Sequence, residues 1–226
     1  MSDDADLCTE LDRLIFEDEC FDSEGFAALP ALSRMAQSGN AEQRERALDL
    51  AGVITRTLHR HYADDGLVRA SPEAFAALHR VARAHVSNRK RLQDTLAFAG
   101  YTFWASISMD FTDEHYHLGC PQCATQLAIV IGEYGCYAAF RHYTDGDINR
   151  VPLMPAAPTE LTGIRRWAHD TAMAIGDPVL AAGLAHLFGR ARCGLCGCSF
   201  DLADWFEAEN SPGQPIDPVV PRRPAM

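Results

Sequence analysis

Cys120-Pro-Gln-Cys123 and Cys193-Gly-Leu-Cys196 are the two segments on which the reading of this chain turns. Two thiolates separated by two residues can grip one metal ion from one side, and two such pairs complete a tetrahedral four-sulfur site. The glycine that follows Cys196 suits such a knuckle, because it lets backbone amides turn toward the sulfurs. The expectation is one structural Zn2+ held by Cys120, Cys123, Cys193 and Cys196. Four thiolates leave no open coordination position for water or substrate.

Sixty-nine residues lie between Cys123 and Cys193, where about 15–20 is usual for a ribbon. Closing the longer loop costs only about 1.2 kcal/mol more, against a structural zinc site worth on the order of 10 kcal/mol. The intervening stretch is therefore expected to be folded matter inserted into a split zinc ribbon.

The residues around the pairs fit that expectation. His115-Tyr-His-Leu118 leads into the first pair, Thr125 to Ile131 reads as a buried strand, and Glu133-Tyr-Gly135 reads as a turn before a strand from Cys136 to Tyr143. A loop containing Asp145-Gly146-Asp147 follows. Thr159 with Glu160 is expected to cap a helix through Ile175, and Asp177-Pro178 to open another reaching Phe188. These two helices, 159–188, form the helical insertion. Arg192 to Phe200 returns as the second knuckle and its strand, and Leu202 to Phe206 starts a closing helix.

Ahead of this region the chain repeats itself. Phe26-Ala-Ala-Leu29 returns as Phe75-Ala-Ala-Leu78, and Leu48-Asp-Leu-Ala-Gly-Val53 returns as Leu96-Ala-Phe-Ala-Gly-Tyr101. Each copy reads as two helices. Leu29, Leu32 and Met35 follow Phe26 on one face, and Leu50, Ile54 and Leu58 mark the next helix. In the second copy Phe75, Leu78, Ala82 and Val86 form one stripe, and Leu92, Leu96, Ala99, Phe103 and Ile107 the other. Gly39-Asn40 and Ser87-Asn88 fall at the matching turns, and Ser71-Pro72 is an N-cap with proline behind it.

A period near 48 residues built from helix pairs resembles the HEAT/armadillo class of α-solenoid. The resemblance covers residues 24–110 in two units. It implies antiparallel helical hairpins stacked into a surface of the kind that binds other proteins. The fold class expected for the whole chain is thus α+β, mostly helical. A helical repeat domain with an acidic leader spans 1–110, a split ribbon 111–210 and a proline-rich tail 211–226.

Composition sets limits on function. The net charge is −11, and ten acids against the single base Arg13 fall within residues 1–24. No apolar run approaches the roughly 20 residues of a membrane span, and the start lacks the basic and apolar regions of a secretory signal. A cytoplasmic protein is expected, and in that reducing compartment the paired cysteines read as metal ligands. Cys8, Cys20 and Cys136 read as small buried hydrophobes, and Cys198 as a neighbour of the metal site. Pro212, Pro215, Pro218, Pro221 and Pro224 recur every three residues, the period of a polyproline II helix.

The function expected is a non-enzymatic protein-interaction module, an adaptor, regulator or immunity-type binder of a protein partner. A second reading is a nucleic-acid-associated regulator, resting on Arg80, Arg83, Arg89, Lys90, Arg91, Arg165 and Arg166 and opposed by the acidic balance. A third is a metal-dependent enzyme using His115 and His117, which share one face if they lie on a strand. Helical geometry sets His59 and His61 on different faces. The sequence contains no Gly-x-Ser-x-Gly, His-Glu-x-x-His, P-loop or Gly-x-Gly-x-x-Gly motif.

Overall fold

The computed structural model describes residues 26–61, 71–107, 109–141, 143–146 and 149–210, without the side chains of 57–61, 102 and 113–115. The acidic segment 1–24, Cys8, Cys20, the proline tail and the side chains of Leu58, His59, His61 and His115 fall outside these. The fold is mixed helix and sheet. It divides into two compact units, residues 1–107 and 108–226. Among the described residues no helix is long and apolar enough to cross a membrane.

The first unit contains helices α1 (Leu29–Ser38), α2 (Ala41–His61), α3 (Pro72–Ala84), α4 (Arg89–Phe98) and α5 (Thr102–Ser106). α1 packs on α2 and α3, and α4 packs on α2, α3 and α5. Like helices of the two sequence copies therefore lie side by side. Phe26, Leu29, Leu32, Met35, Leu50, Ile54, Phe75, Leu78 and Ala82 are all buried in one cluster.

The two turns between paired helices are built alike. Asn40 Oδ1 accepts from the Gln43 amide at 2.9 Å, and Asn88 Oδ1 accepts from the Arg91 amide at 2.9 Å. At the first turn Gln43 Oε1 also accepts from the Asn40 amide at 3.0 Å, which completes a reciprocal capping box. Ser71 stands at the N-cap of α3 with Pro72 behind it, but its hydroxyl makes no capping bond.

The stripe expected from Leu92 to Ile107 is interrupted. Gly100 adopts φ +89°, the Tyr101 amide donates to the Leu96 carbonyl, and the Gly100 amide donates to Ala97. This is a Schellman stop, and α5 begins afresh after it. Val86 likewise lies beyond the end of α3.

The second unit has a four-stranded antiparallel sheet in the order β1 (Asp113–Gly119), β2 (Gln126–Gly132), β3 (Gly135–Ala139) and β4 (Val151–Pro152). β2 is buried at five consecutive positions from Leu127 to Ile131, so both of its faces are covered. Helices α6 (Gly163–Ala174) and α7 (Pro178–Leu187) pack on one another, and α7 reaches β2. A second hairpin, β5 (Arg190–Arg192) with β6 (Ser199–Asp201), leads into α8 (Leu202–Asn210).

Three expectations need adjusting here. α6 starts at Gly163, behind Thr162. The Glu160 carboxylate instead accepts from the Ala157 amide at 2.7 Å, which closes a turn ahead of the helix. β3 ends at Ala139, four residues before Tyr143. Cys136 is half-buried rather than part of the core. The start of α7 is as read: the Asp177 carboxylate accepts from the Leu180 amide at 2.9 Å.

Candidate metal centre

Each cysteine pair sits at the tip of an antiparallel hairpin, the first between β1 and β2 and the second between β5 and β6. A bridge between Met154 and Arg190 joins the strand running out of β4 to β5. Both of its hydrogen bonds are made, at 3.0 and 2.9 Å. That bridge carries the second hairpin back to the first sheet, which is how sulfurs far apart in sequence meet.

The two tips repeat the same backbone. The Cys120 amide donates to the Thr125 carbonyl and the Cys193 amide to the Cys198 carbonyl, at 2.9 and 2.8 Å. The Ala124 amide donates back to Cys120 and the Gly197 amide back to Cys193, at 2.9 and 3.0 Å. Ala124 and Gly197 both take positive φ, +56° and +74°. The glycine after Cys196 is thus explained by backbone conformation, and the first knuckle forces an alanine into the same shape at a cost of about 1 kcal/mol.

All four sulfurs lie within 4.8 Å of one another. Cys120 Sγ is 3.6 Å from Cys196 Sγ, and Cys123 Sγ is 3.8 Å from Cys193 Sγ. These distances are far too long for a disulfide, about 2.05 Å. A tetrahedron with metal–sulfur bonds of about 2.3 Å has edges of about 3.8 Å, so the spacing suits a four-thiolate site. Each pair gives one buried sulfur, from Cys120 or Cys193, and one half-exposed sulfur, from Cys123 or Cys196.

The surroundings already treat the sulfurs unequally. Burial pushes the Cys120 thiol up to about 12 and also raises Cys196. The Thr125 hydroxyl, 3.3 Å from Cys123 Sγ, and the Thr125 backbone hold Cys123 down to about 6. A divalent cation among the four would favour the thiolate at every position.

A further layer fixes the first tip. The Trp205 indole Nε1 donates to the Gly119 carbonyl at 2.6 Å, and both oxygens of Glu209 accept from the Gly119 amide at 2.8 Å. Gly119 immediately precedes Cys120, so α8 holds the backbone from which that thiol projects. The Phe206 ring meets Tyr116 of β1 edge-on at 4.9 Å. The sequence carries no local signal for these contacts, because Trp205 and Glu209 reach back across most of the second unit.

The remaining candidates fall elsewhere. His115 and His117 lie on β1 opposite Val130 and Ala128, so the backbone puts them on one face, and the His117 side chain is exposed. Among the described side chains, the four cysteines form the only group of three or more His, Cys, Asp or Glu placed to share a metal. Cys198 is not among them. Of the basic residues, Arg91 is buried against Glu45, Asp49 and Asp94, and Lys90 pairs with Asp49. Arg165 is bonded to Asp201 and Asp204, and Arg166 to Asp170.

No family model matches this sequence, and neither the curated proteins nor the solved structures contain a match to it.

Proposed function

We propose that the chain is a zinc-stabilised protein-interaction module of the cytoplasm, with one structural Zn2+ held by Cys120, Cys123, Cys193 and Cys196. The observation that carries the metal assignment is the sulfur spacing, 3.6 and 3.8 Å across the two tips. An all-cysteine donor set favours a soft or borderline cation, and four thiolates fill the coordination sphere of zinc. Such a site contributes folding energy and offers no position for a reacting water. The two hairpins then act as a split zinc ribbon, with α6 and α7 as the inserted pair.

The stacking of α1 on α3 and of α2 on α4 supports the further reading of the first unit as two HEAT-like repeats. Solenoids of this kind use their helical faces to bind other proteins. Several cations that a nucleic-acid reading would need are already paired to carboxylates of this chain, and its net charge is −11, which favours a protein partner. Affinity capture from native extract, with and without nuclease, tests this. A stoichiometric protein partner that survives nuclease treatment is the expected result. Salt-sensitive retention on DNA or RNA with no protein partner would replace this function with the nucleic-acid one.

A further inference from the structure

Arg34 of α1 and Arg80 of α3 are both exposed, and both line a groove of about 680 Å³ in the first unit. α1 lines it with Pro30, Arg34 and Gln37, and α3 with Glu73, Ala77 and Arg80. On each helix these positions recur at helical spacing and in the same order, so the groove runs lengthwise between the two.

The acids of the first unit leave these two cations alone. Arg56 and Arg91 are held by Asp94, and Lys90 by Asp49. Among the described residues no carboxylate pairs with Arg34 or Arg80. Glu73 is the one acid on the lining, so positive charge is in excess there.

The distribution of charge along the chain points to an occupant. Residues 25–107 carry eleven Arg and Lys against seven Asp and Glu, a net charge of +4. Residues 108–226 are net −6. Residues 1–24, with ten acids and Arg13, are net −9. The acidic segment thus finds its opposite charge in the first unit and not in the second.

The same segment is attached beside the groove. It joins the unit at Phe26, four residues ahead of Pro30. Along α1 the distance from Pro30 to Gln37 is about 10 Å. Eight extended residues cover about 26 Å, so the acids from Asp18 to Glu24 can reach the groove from Phe26. One exposed ion pair is weak. A segment tethered next to its site, however, binds at an effective concentration of about millimolar, and several such pairs act together.

From the unpaired arginines, the charge balance and the point of attachment, we infer that the α1–α3 groove is the docking site of the chain's own acidic segment, residues 1–24, with its carboxylates on Arg34 and Arg80. The inference requires neither the zinc nor the partner of the function proposed above.

The test exploits the fact that Lys90 is the only lysine in the chain. Carbodiimide joins a carboxylate to an amine with loss of water, and full-length Arg34→Lys and Arg80→Lys each supply one new amine at unchanged charge. Peptide mapping is expected to find amide bonds from positions 34 and 80 to Asp or Glu within 1–24. They should be several-fold fewer in about 1 M salt, where the screening length is about 3 Å. Mixing ¹⁵N-labelled and unlabelled protein separates bonds within a chain from bonds between copies. The unaltered arginines give an independent readout. In full-length protein carrying Glu17→Gln, Asp18→Asn, Glu19→Gln, Asp22→Asn and Glu24→Gln, the Arg34 and Arg80 Nε–H resonances should move. That of Arg44, whose guanidinium bonds the Gly39 carbonyl, should stay in place. Amide bonds only outside 1–24, or only between copies, overturn the inference. So do Arg34 and Arg80 resonances left unmoved by the loss of those five acids.

Discussion

The indole nitrogen of Trp205 donates a hydrogen bond to the carbonyl of Gly119 at 2.6 Å, tying the closing helix to the residue before Cys120. Replacing Trp205 with Phe keeps a large ring and removes that donor. A part-buried carbonyl left without its partner costs about 1–3 kcal/mol. Trp205→Phe is therefore expected to lower stability by about that much in urea melts, and to speed loss of metal to a chelator. Unchanged metal release would mean that α8 does not position Cys120.

Ala124 and Gly197 occupy equivalent left-handed positions behind the two knuckles. Ala124→Gly is expected to raise stability by about 0.5–1 kcal/mol, because relief of the left-handed penalty exceeds the extra freedom given to the unfolded chain. Gly197→Ala should lower it by about 1 kcal/mol or more. Thermal melts of the two variants, compared with the parent, check the opposite signs.

Much of this site could be read directly from the chain. The C-x-x-C spacing picks out, without a structure, the four cysteines whose sulfurs the fold brings together, because two residues between thiolates is what a shared metal requires. Asn40 and Asn88 were legible for a similar reason, since capping is local chemistry. Gly52 and Gly100 show where such reading ends. They hold the same place in the two sequence copies, yet α2 runs straight through Gly52 while α4 stops just before Gly100. A side chain at Gly52 would collide with the Asp94 carboxylate. That is a tertiary contact, and no periodicity reports it. The same holds for Trp205 and Glu209, whose partners are set by how the elements pack.

Asp94 is fully buried, between Arg56 and Arg91. Burial outweighs both guanidinium groups and raises its pKa from 3.8 to about 6. The folded chain thus holds this proton more tightly than the unfolded chain. The contribution of Asp94 to stability is greatest below pH 3.8 and is lost as pH rises through about 6, a change on the order of 3 kcal/mol. The difference in urea stability between the parent and Asp94→Asn isolates this from the acid sensitivity of the metal site. That difference should move against the parent between pH 4 and 7, and the Asp94 ¹³Cγ signal should titrate near pH 6. A midpoint near 4 would show that the two arginines offset burial in full, contrary to this account.

Gly52→Ala puts a methyl group against the same carboxylate. Overpacking of this kind costs about 1–3 kcal/mol, and displacement of a buried, paired acid adds to it. A lowered urea midpoint with unchanged metal content is expected, because the substitution lies in the first unit and the cysteines in the second.

The central claim is that four cysteines from two hairpin tips share one zinc ion. X-ray absorption at the zinc edge, on full-length protein purified without chelator, tests it most directly. One zinc per chain with four sulfur neighbours at about 2.3 Å is the expected result, and Cys120→Ser or Cys196→Ser should abolish it. Protein free of zinc with the four thiols unligated, or a metal shell containing nitrogen or oxygen in place of sulfur, would contradict the account.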